Sequence, residues 1–279
     1  MKSLNKLQLI VVIFSLLSAL FFVIFFANKT PQKKEDHTAK PELPTKGLDL
    51  EKFTDQKIAL LPDSLKKTFN ALNVSINENK TKIAPYDSMM RFWDRLFQPF
   101  VSAVYMEKKA SAFPSDSSWF ESGNRFLSSI QFVNQAEHAK ALLLHAIQSF
   151  EKGLKLNPNN VDARIRLASC YLEDEKDPMK GISMLREIEK TDSNNMNLQL
   201  TFGFASFRSG QWDRAIRRFN KVLELNPEYL EAYLYLADVY EKKGDKAMTI
   251  KTLEEYYRRV PDKEAKNEIL KYIDKLKNS

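Results

Sequence analysis

The stretch FGFASFRSGQWDRAIRRFNKVLELNP, residues 202–227, places two glycines, an alanine and a phenylalanine at offsets that suit a pair of packed helices. Gly203 has no side chain and would let two helix backbones approach closely. Gly210 is expected to end the first helix, because glycine is favoured just beyond a helix C-terminus. Ala215 and Phe219 lie one turn apart on the second helix and would lock the pair. The stretch therefore predicts one helical hairpin.

The same arrangement recurs along the C-terminal part of the chain. Pro227 and Pro261 are 34 residues apart, and Pro158 precedes Pro227 by 69 residues, about two further periods. Alignment on this period gives three units of one pattern and one degenerate copy, and a predicted capping helix follows them. These are the units 161–195, 196–229 and 230–263, the degenerate copy 117–160 and the cap 264–277. The sequence thus predicts an all-α fold with an α-solenoid of stacked hairpins over residues 113–279.

These units resemble the tetratricopeptide repeat (TPR) family, whose first helix carries Leu, a small residue and Tyr and whose second carries Ala, an aromatic residue and Pro. The first-helix set stands here as Leu236, Ala237 and Tyr240, and the second-helix set as Ala215 and Phe219. The resemblance covers roughly residues 117–279. It implies a scaffold that binds a protein or peptide partner.

In the family, the first helices line a concave groove whose exposed positions meet ligands. Carried over to this chain, the protein-binding groove consists of Ile165, Ser169, Leu172, Asn197, Leu200, Phe204, Phe207, Arg208, Leu234 and Asp238. Phe204 and Phe207 are one helical turn apart and make its middle apolar. We expect a peptide with an apolar anchor as the ligand. The alternative is that residues 50–112 of the chain itself fill the groove.

The N-terminal part of the chain has a different character. Residues 9–27, LIVVIFSLLSALFFVIFFA, hold no charge and are long enough, at ~1.5 Å per residue, to cross the ~30 Å core of a bilayer. We expect a cytoplasmic tail and transmembrane anchor over 1–28, a flexible linker over 29–49, and a helical region that packs on the repeats over 50–112. A cleaved signal peptide and a buried helix of a soluble protein are the alternatives.

Few residues suit catalysis or metal binding. The chain has three histidines and one cysteine, Cys170. His138 and His145 are about two helical turns apart, with no carboxylate between them. No glycine-rich phosphate loop, nucleophile elbow or zinc-protease motif occurs. The sequence therefore predicts no enzyme, no catalytic residue, no metal, no cofactor and no small-molecule substrate.

The charge is basic but unevenly placed. Of a net charge of +7, more than half lies within residues 1–46, beside the predicted span. Nucleic-acid binding would need a stripe of Lys and Arg on the folded part, and no such stripe is apparent, so we expect no nucleic-acid partner.

Together these patterns predict a membrane-anchored TPR scaffold or adaptor of a cell-envelope complex. By analogy with single-span TPR proteins of bacteria, we expect a bacterial inner-membrane protein with its repeats in the periplasm. Lysines on both sides of the span leave the orientation open. The alternative function is an envelope chaperone that holds unfolded or newly secreted proteins near the translocon.

Overall fold

The computed structural model describes residues 50–174 and 177–278. Within those ranges the chain forms thirteen α-helices and one short 3-10 helix, Ile130–Phe132, and no strand. The helices are α1 Leu50–Ala59, α2 Asp63–Glu78, α3 Ala84–Arg95, α4 Pro99–Ala112, α5 Asp116–Ser129, α6 Ala136–Leu156, α7 Val161–Glu173, α8 Pro178–Thr191, α9 Met196–Arg208, α10 Trp212–Leu225, α11 Glu231–Lys243, α12 Lys246–Arg259 and α13 Lys263–Asn278. The all-α prediction is confirmed.

The predicted membrane localisation needs correction. In the part of the chain that the structure describes, no helix combines the length and the apolar character needed to cross a bilayer. The longest there, α6, has 21 residues but carries lysines and glutamates along its length, which a bilayer core would have to desolvate. The predicted span, residues 9–27, lies outside the described residues, as do the predicted tail and linker. This finding overturns the predicted placement in a bacterial inner membrane, which we do not retain.

The chain divides into two compact units, with the boundary inside α7 between Ala163 and Arg164. In unit 1, each helix from α2 to α6 packs on the next one along the chain. Helix α1 joins them through Phe53, whose ring stacks on that of Phe100 in α4 with centroids 4.5 Å apart. In the hairpin of α5 and α6, a Cβ on Gly123 would lie 2.6 Å from the ring of Phe150, so the close approach requires glycine.

Unit 2 contains the same close packing of a glycine against a phenylalanine ring. Helices α9 to α13 pack in sequence, and a Cβ on Gly203 would lie 2.6 Å from the ring of Phe219. Phe219 is 1% exposed and belongs to a core cluster with Ala215, Leu236 and Val239. By contrast, α8 makes little contact with α9. The hairpin read from residues 202–227 is therefore present, and its second helix also supports the helix that follows it.

Helices α3, α9 and α11 end in the same turn, in which a backbone N–H two or three residues beyond the helix donates to the carbonyl oxygen five positions before it. Gln98 N donates to Trp93 O over 3.1 Å, Gln211 N to Ser206 O over 2.8 Å, and Asp245 N to Tyr240 O over 2.8 Å. The residue just before each donor is left-handed, with φ of 54° at Phe97, 69° at Gly210 and 83° at Gly244. Glycine suits this position, and phenylalanine does not.

The strained turn at Phe97 gives a first prediction. Its side chain is 87% exposed, so replacing it removes little packing. We expect Phe97→Gly to raise the free energy of unfolding by about 1 kcal/mol, because glycine avoids the left-handed penalty of an L-residue. Urea denaturation followed by circular dichroism measures the change. Phe97→Ala is the matched control, since it removes the ring but keeps the penalty; an equal gain in Phe97→Ala would contradict this account.

Candidate functional site

The predicted groove residues all lie in unit 2, on α7, α9 and α11. Ile165 is buried at 3% exposure and offers little surface, whereas Asn197 and Arg208 are exposed. The remaining members are partly buried: Ser169, Leu172, Leu200, Phe204, Phe207, Leu234 and Asp238. Most of the set is thus half accessible.

The two phenylalanines of the predicted groove already have aromatic neighbours. The ring of Phe204 lies 4.8 Å from Tyr235 and 5.3 Å from Phe219, measured between centroids. The ring of Phe207 lies 5.5 Å from that of Trp212. Both phenylalanines pack against the core cluster of unit 2. They therefore support the joint between α9, α10 and α11, and a ligand could meet only their remaining exposed edges.

Arg208 is also engaged within the chain. Its guanidinium pairs with the carboxylate of Glu173 and donates to the carbonyl oxygen of Leu172 over 3.4 Å. These contacts tie the C-terminal end of α9 to the C-terminal end of α7.

Asp238 on α11 has a different environment. Burial raises the pKa of its carboxyl to about 6, with Glu241 acting in the same direction and Lys242 opposing it. Within the described part of the chain, this carboxylate forms no hydrogen bond or ion pair. The neighbouring Glu241 has a donor in Tyr272 of α13. The Tyr272 hydroxyl lies 2.7 and 2.8 Å from the two carboxylate oxygens and shares its proton between them. Asp238 is therefore a partly desolvated acceptor that a ligand could satisfy.

Unit 2 has a second surface, most of which lies outside the residues predicted from the family pattern. It is a groove of about 1030 Å³ between α8, α9 and α10. We call it the arginine groove, because it is lined by Arg186, Arg208, Arg214, Arg217, Arg218 and Lys221. Its apolar lining includes Met179, Ile182, Phe202 and Ala205.

The sequence held a signal for the arginine groove. On α10, cationic residues recur at intervals of three and four, at 214, 217, 218 and 221, which places them on one face of the helix. The sequence-based expectation that the folded part has no stripe of Lys and Arg is therefore wrong for α10. The contributions from α8 and α9 depend on how the helices pack, and no spacing along the chain reveals them.

The residues considered for catalysis lie in separate environments. Cys170 is buried, and desolvation raises the pKa of its thiol to about 12, so it stays protonated at neutral pH. His145 Nδ1 lies 2.9 Å from the carboxylate of Glu107, while the ring of His138 lies against that of Phe53. In residues 50–174 and 177–278, no group of three or more His, Cys, Asp and Glu side chains could hold a metal ion.

The described residues form an all-α helical-repeat fold of packed helical hairpins. Comparison with known families supports tetratricopeptide repeats: the model of the cytochrome c-type biogenesis protein H TPR domain matches residues 135–233, and a tetratricopeptide repeat model matches residues 206–267. No curated protein matches the sequence.

Solved structures agree with this fold. A tetratricopeptide repeat protein from Parabacteroides merdae is 13% identical, with 81% of this chain and 86% of that one covered and a TM-score of 0.56. The thermophilic TPR protein TTC0263 of Thermus thermophilus is 13% identical, with 71% and 100% covered and a TM-score of 0.51. YrrB, described as a TPR protein with an unusual peptide-binding site, is 20% identical, with 72% and 98% covered and a TM-score of 0.43. At such identities the first two likenesses show the fold alone.

Proposed function

We propose that the chain is a non-catalytic scaffold that binds a segment of a partner protein on the face of unit 2 formed by α9 and α11. We call this surface the Asp238 face; it consists of Leu200, Phe204, Leu234 and Asp238. Repeats of this class are interaction modules, and the matching family model describes a biogenesis protein, which supports holding a partner over transforming a substrate.

The observation that carries the proposal is the state of Asp238. A carboxylate that is partly removed from water and lacks a donor costs free energy unless a partner supplies one. A bound segment that brings a cation or an amide donor would recover the lost hydrogen bonding, and such charge-assisted bonds are about twice as strong as neutral ones.

The surroundings of Asp238 narrow the chemistry of the ligand. Leu200, Phe204 and Leu234 are partly buried and present apolar area on the same pair of helices. A segment that fits this surface carries a Lys or Arg side chain for Asp238 and at least one apolar side chain beside it. Phe204 cannot be used as a test position, because its loss would also disturb Phe219 and Tyr235.

Substitution of Asp238 tests the proposal directly. Random 12-residue peptides displayed on phage are selected on the full chain at neutral pH, and the affinities of the selected peptides are measured by fluorescence anisotropy. We expect a class with a basic residue next to apolar ones, whose affinity for Asp238→Asn falls about tenfold, since a hydrogen bond to a charged group contributes about 1.5–3 kcal/mol.

The matched control is Asp274→Asn on α13, where the carboxylate is exposed. It should leave every affinity unchanged. If all selected peptides bind Asp238→Asn as tightly as the unmodified chain, the proposed face is not the binding site.

A further inference from the structure

We infer that the arginine groove is a second binding site, which takes an acidic segment of a partner protein with apolar side chains among its carboxylates. This site goes beyond the Asp238 face, since it lies between α8, α9 and α10 and selects the opposite charge. Among the described residues, its six cationic side chains share the lining with one carboxylate, that of Glu189.

The groove is formed by matching faces of three helices. Met179, Ile182 and Arg186 recur on α8 at intervals of three and four residues. Buried Gln199 and Phe202 of α9 form the base of the groove, and the cationic face of α10 forms its other wall. Because little of α8 contacts α9, the space between them stays open. Its volume is at the upper end of the range for small-ligand pockets and suits a short stretch of chain.

Ion pairs within the chain neutralise only some of the cationic side chains that line the arginine groove. Arg218 pairs with Glu189 and donates to Gln199 Oε1 over 3.0 Å, and its guanidinium lies 4.3 Å above the ring of Phe202. Arg208 is held by Glu173. Arg186 and Arg217, in contrast, are exposed, and neither forms an ion pair within the described residues.

Those two arginines define what the groove can recognise. Both line the groove from different helices, Arg186 from α8 and Arg217 from α10, so a segment that lies in the groove could meet a guanidinium from each helix. A guanidinium binds a carboxylate through two parallel hydrogen bonds, which makes arginine well suited to this task. The ligand should therefore carry Asp or Glu on both of its flanks.

The apolar lining favours a peptide over a nucleic acid. Met179 is 64% exposed, and burying its side chain would need an apolar partner. Single-stranded nucleic acids bind through open aromatic faces on which bases stack. Phe202 is the aromatic residue of the lining, and Arg218 covers its ring.

The peptide selection described for the Asp238 face tests this site as well. We expect a second class of 12-residue peptides, rich in Asp and Glu with interspersed apolar residues. Their affinity should fall at least about tenfold in the double variant Arg186→Glu, Arg217→Glu, whose substituted side chains are exposed and form no ion pair within the described residues, although the charge of Arg217 acts on Asp213. Met179→Ser should weaken the same peptides several-fold.

The charge-matched control is the double variant Lys251→Glu, Lys275→Glu, which alters exposed lysines of α12 and α13 by the same net charge. It should leave the acidic peptides bound. The inference is overturned if no acidic class is selected, if the arginine variant binds that class normally, or if a 12-nucleotide single-stranded DNA binds the groove more tightly than the best peptide. Peptides that bind the Asp238 face should bind the arginine variant with unchanged affinity. The two proposed sites are therefore tested independently.

Discussion

Replacing Phe219 by alanine is expected to lower the free energy of unfolding by about 3–5 kcal/mol, the usual cost of removing a fully buried phenyl ring. The ring is 1% exposed, and its centroid lies 5.3 Å from that of Phe204 and 5.4 Å from that of Tyr235. It also fills the space beside Gly203. Its removal would leave a cavity shared by α9, α10 and α11, which close packing elsewhere prevents from collapsing. Urea denaturation followed by circular dichroism measures the loss.

Gly203→Ala provides the specific control for this packing. In the unmodified chain the new methyl group would sit 2.6 Å from the Phe219 ring, so we expect a net loss of about 1–2 kcal/mol from overpacking. In the Phe219→Ala background the obstacle is gone, and the same change should gain up to about 1 kcal/mol of helix propensity. Strictly additive effects of the two substitutions would show that the ring and the glycine are not coupled.

The equivalent pair in unit 1 tests whether the packing of a glycine against a buried phenylalanine ring contributes the same stability in both units. Phe150 is fully buried, and a Cβ on Gly123 would lie 2.6 Å from its ring. Phe150→Ala should therefore cost as much as Phe219→Ala, although it belongs to the copy of the repeat that deviates most from the pattern. A much smaller cost would mean that the longer hairpin of α5 and α6 relaxes around the cavity.

Contacts inside one hairpin could be predicted from the sequence, because they depend on short spacings along the chain. Gly203, Ala215 and Phe219 are such a case, because intervals of four, twelve and sixteen residues separate them along the chain. The partners of Phe204 and Phe207 could not be predicted in the same way. Their rings face the core as well as the solvent, and Tyr235 reaches Phe204 from the next repeat.

The candidate sites show the same limit. The family pattern pointed to Asp238 as a groove position, but its raised pKa depends on how much water the neighbouring helices exclude. The arginine groove depends on a gap between α8 and α9, where the regular stacking of repeats would predict close contact. A sequence pattern that assumes identical repeats cannot predict where two neighbouring repeats pack less closely.

Asp238→Asn is expected to stabilise the chain at neutral pH. Burial raises the pKa of the carboxyl from 3.8 to about 6, so the folded chain holds this proton more tightly than the unfolded chain. The unmodified chain therefore loses stability as the pH rises from about 4 through about 6, and the asparagine variant does not. A shift of this size corresponds to about 3 kcal/mol for a fully desolvated group, and partial exposure reduces the expected gain to about 1–2 kcal/mol.

Denaturant midpoints of both chains at pH 7.5 and pH 4 measure this difference. The variant should be the more stable at pH 7.5, and the difference should become much smaller at pH 4, where the folded carboxyl is protonated and the unfolded one, with its pKa of 3.8, is about half ionised. Asp274→Asn, on the exposed surface of α13, should show no such dependence. An offset of the same size at both pH values would point to altered packing and not to the titration of Asp238.

The two consequences of Asp238→Asn have opposite signs, and this separates a binding role from a structural one. A carboxylate that served the fold would lower stability when replaced, whether or not a ligand also used it. A carboxylate that binds a ligand destabilises the free protein, because it is partly desolvated without a donor, and the ligand offsets this cost in the complex. Its loss should therefore stabilise the chain and weaken binding. Measuring the stability and the affinity of one variant under one buffer therefore decides between the two roles, because only the binding role predicts a more stable chain that holds its partner less tightly.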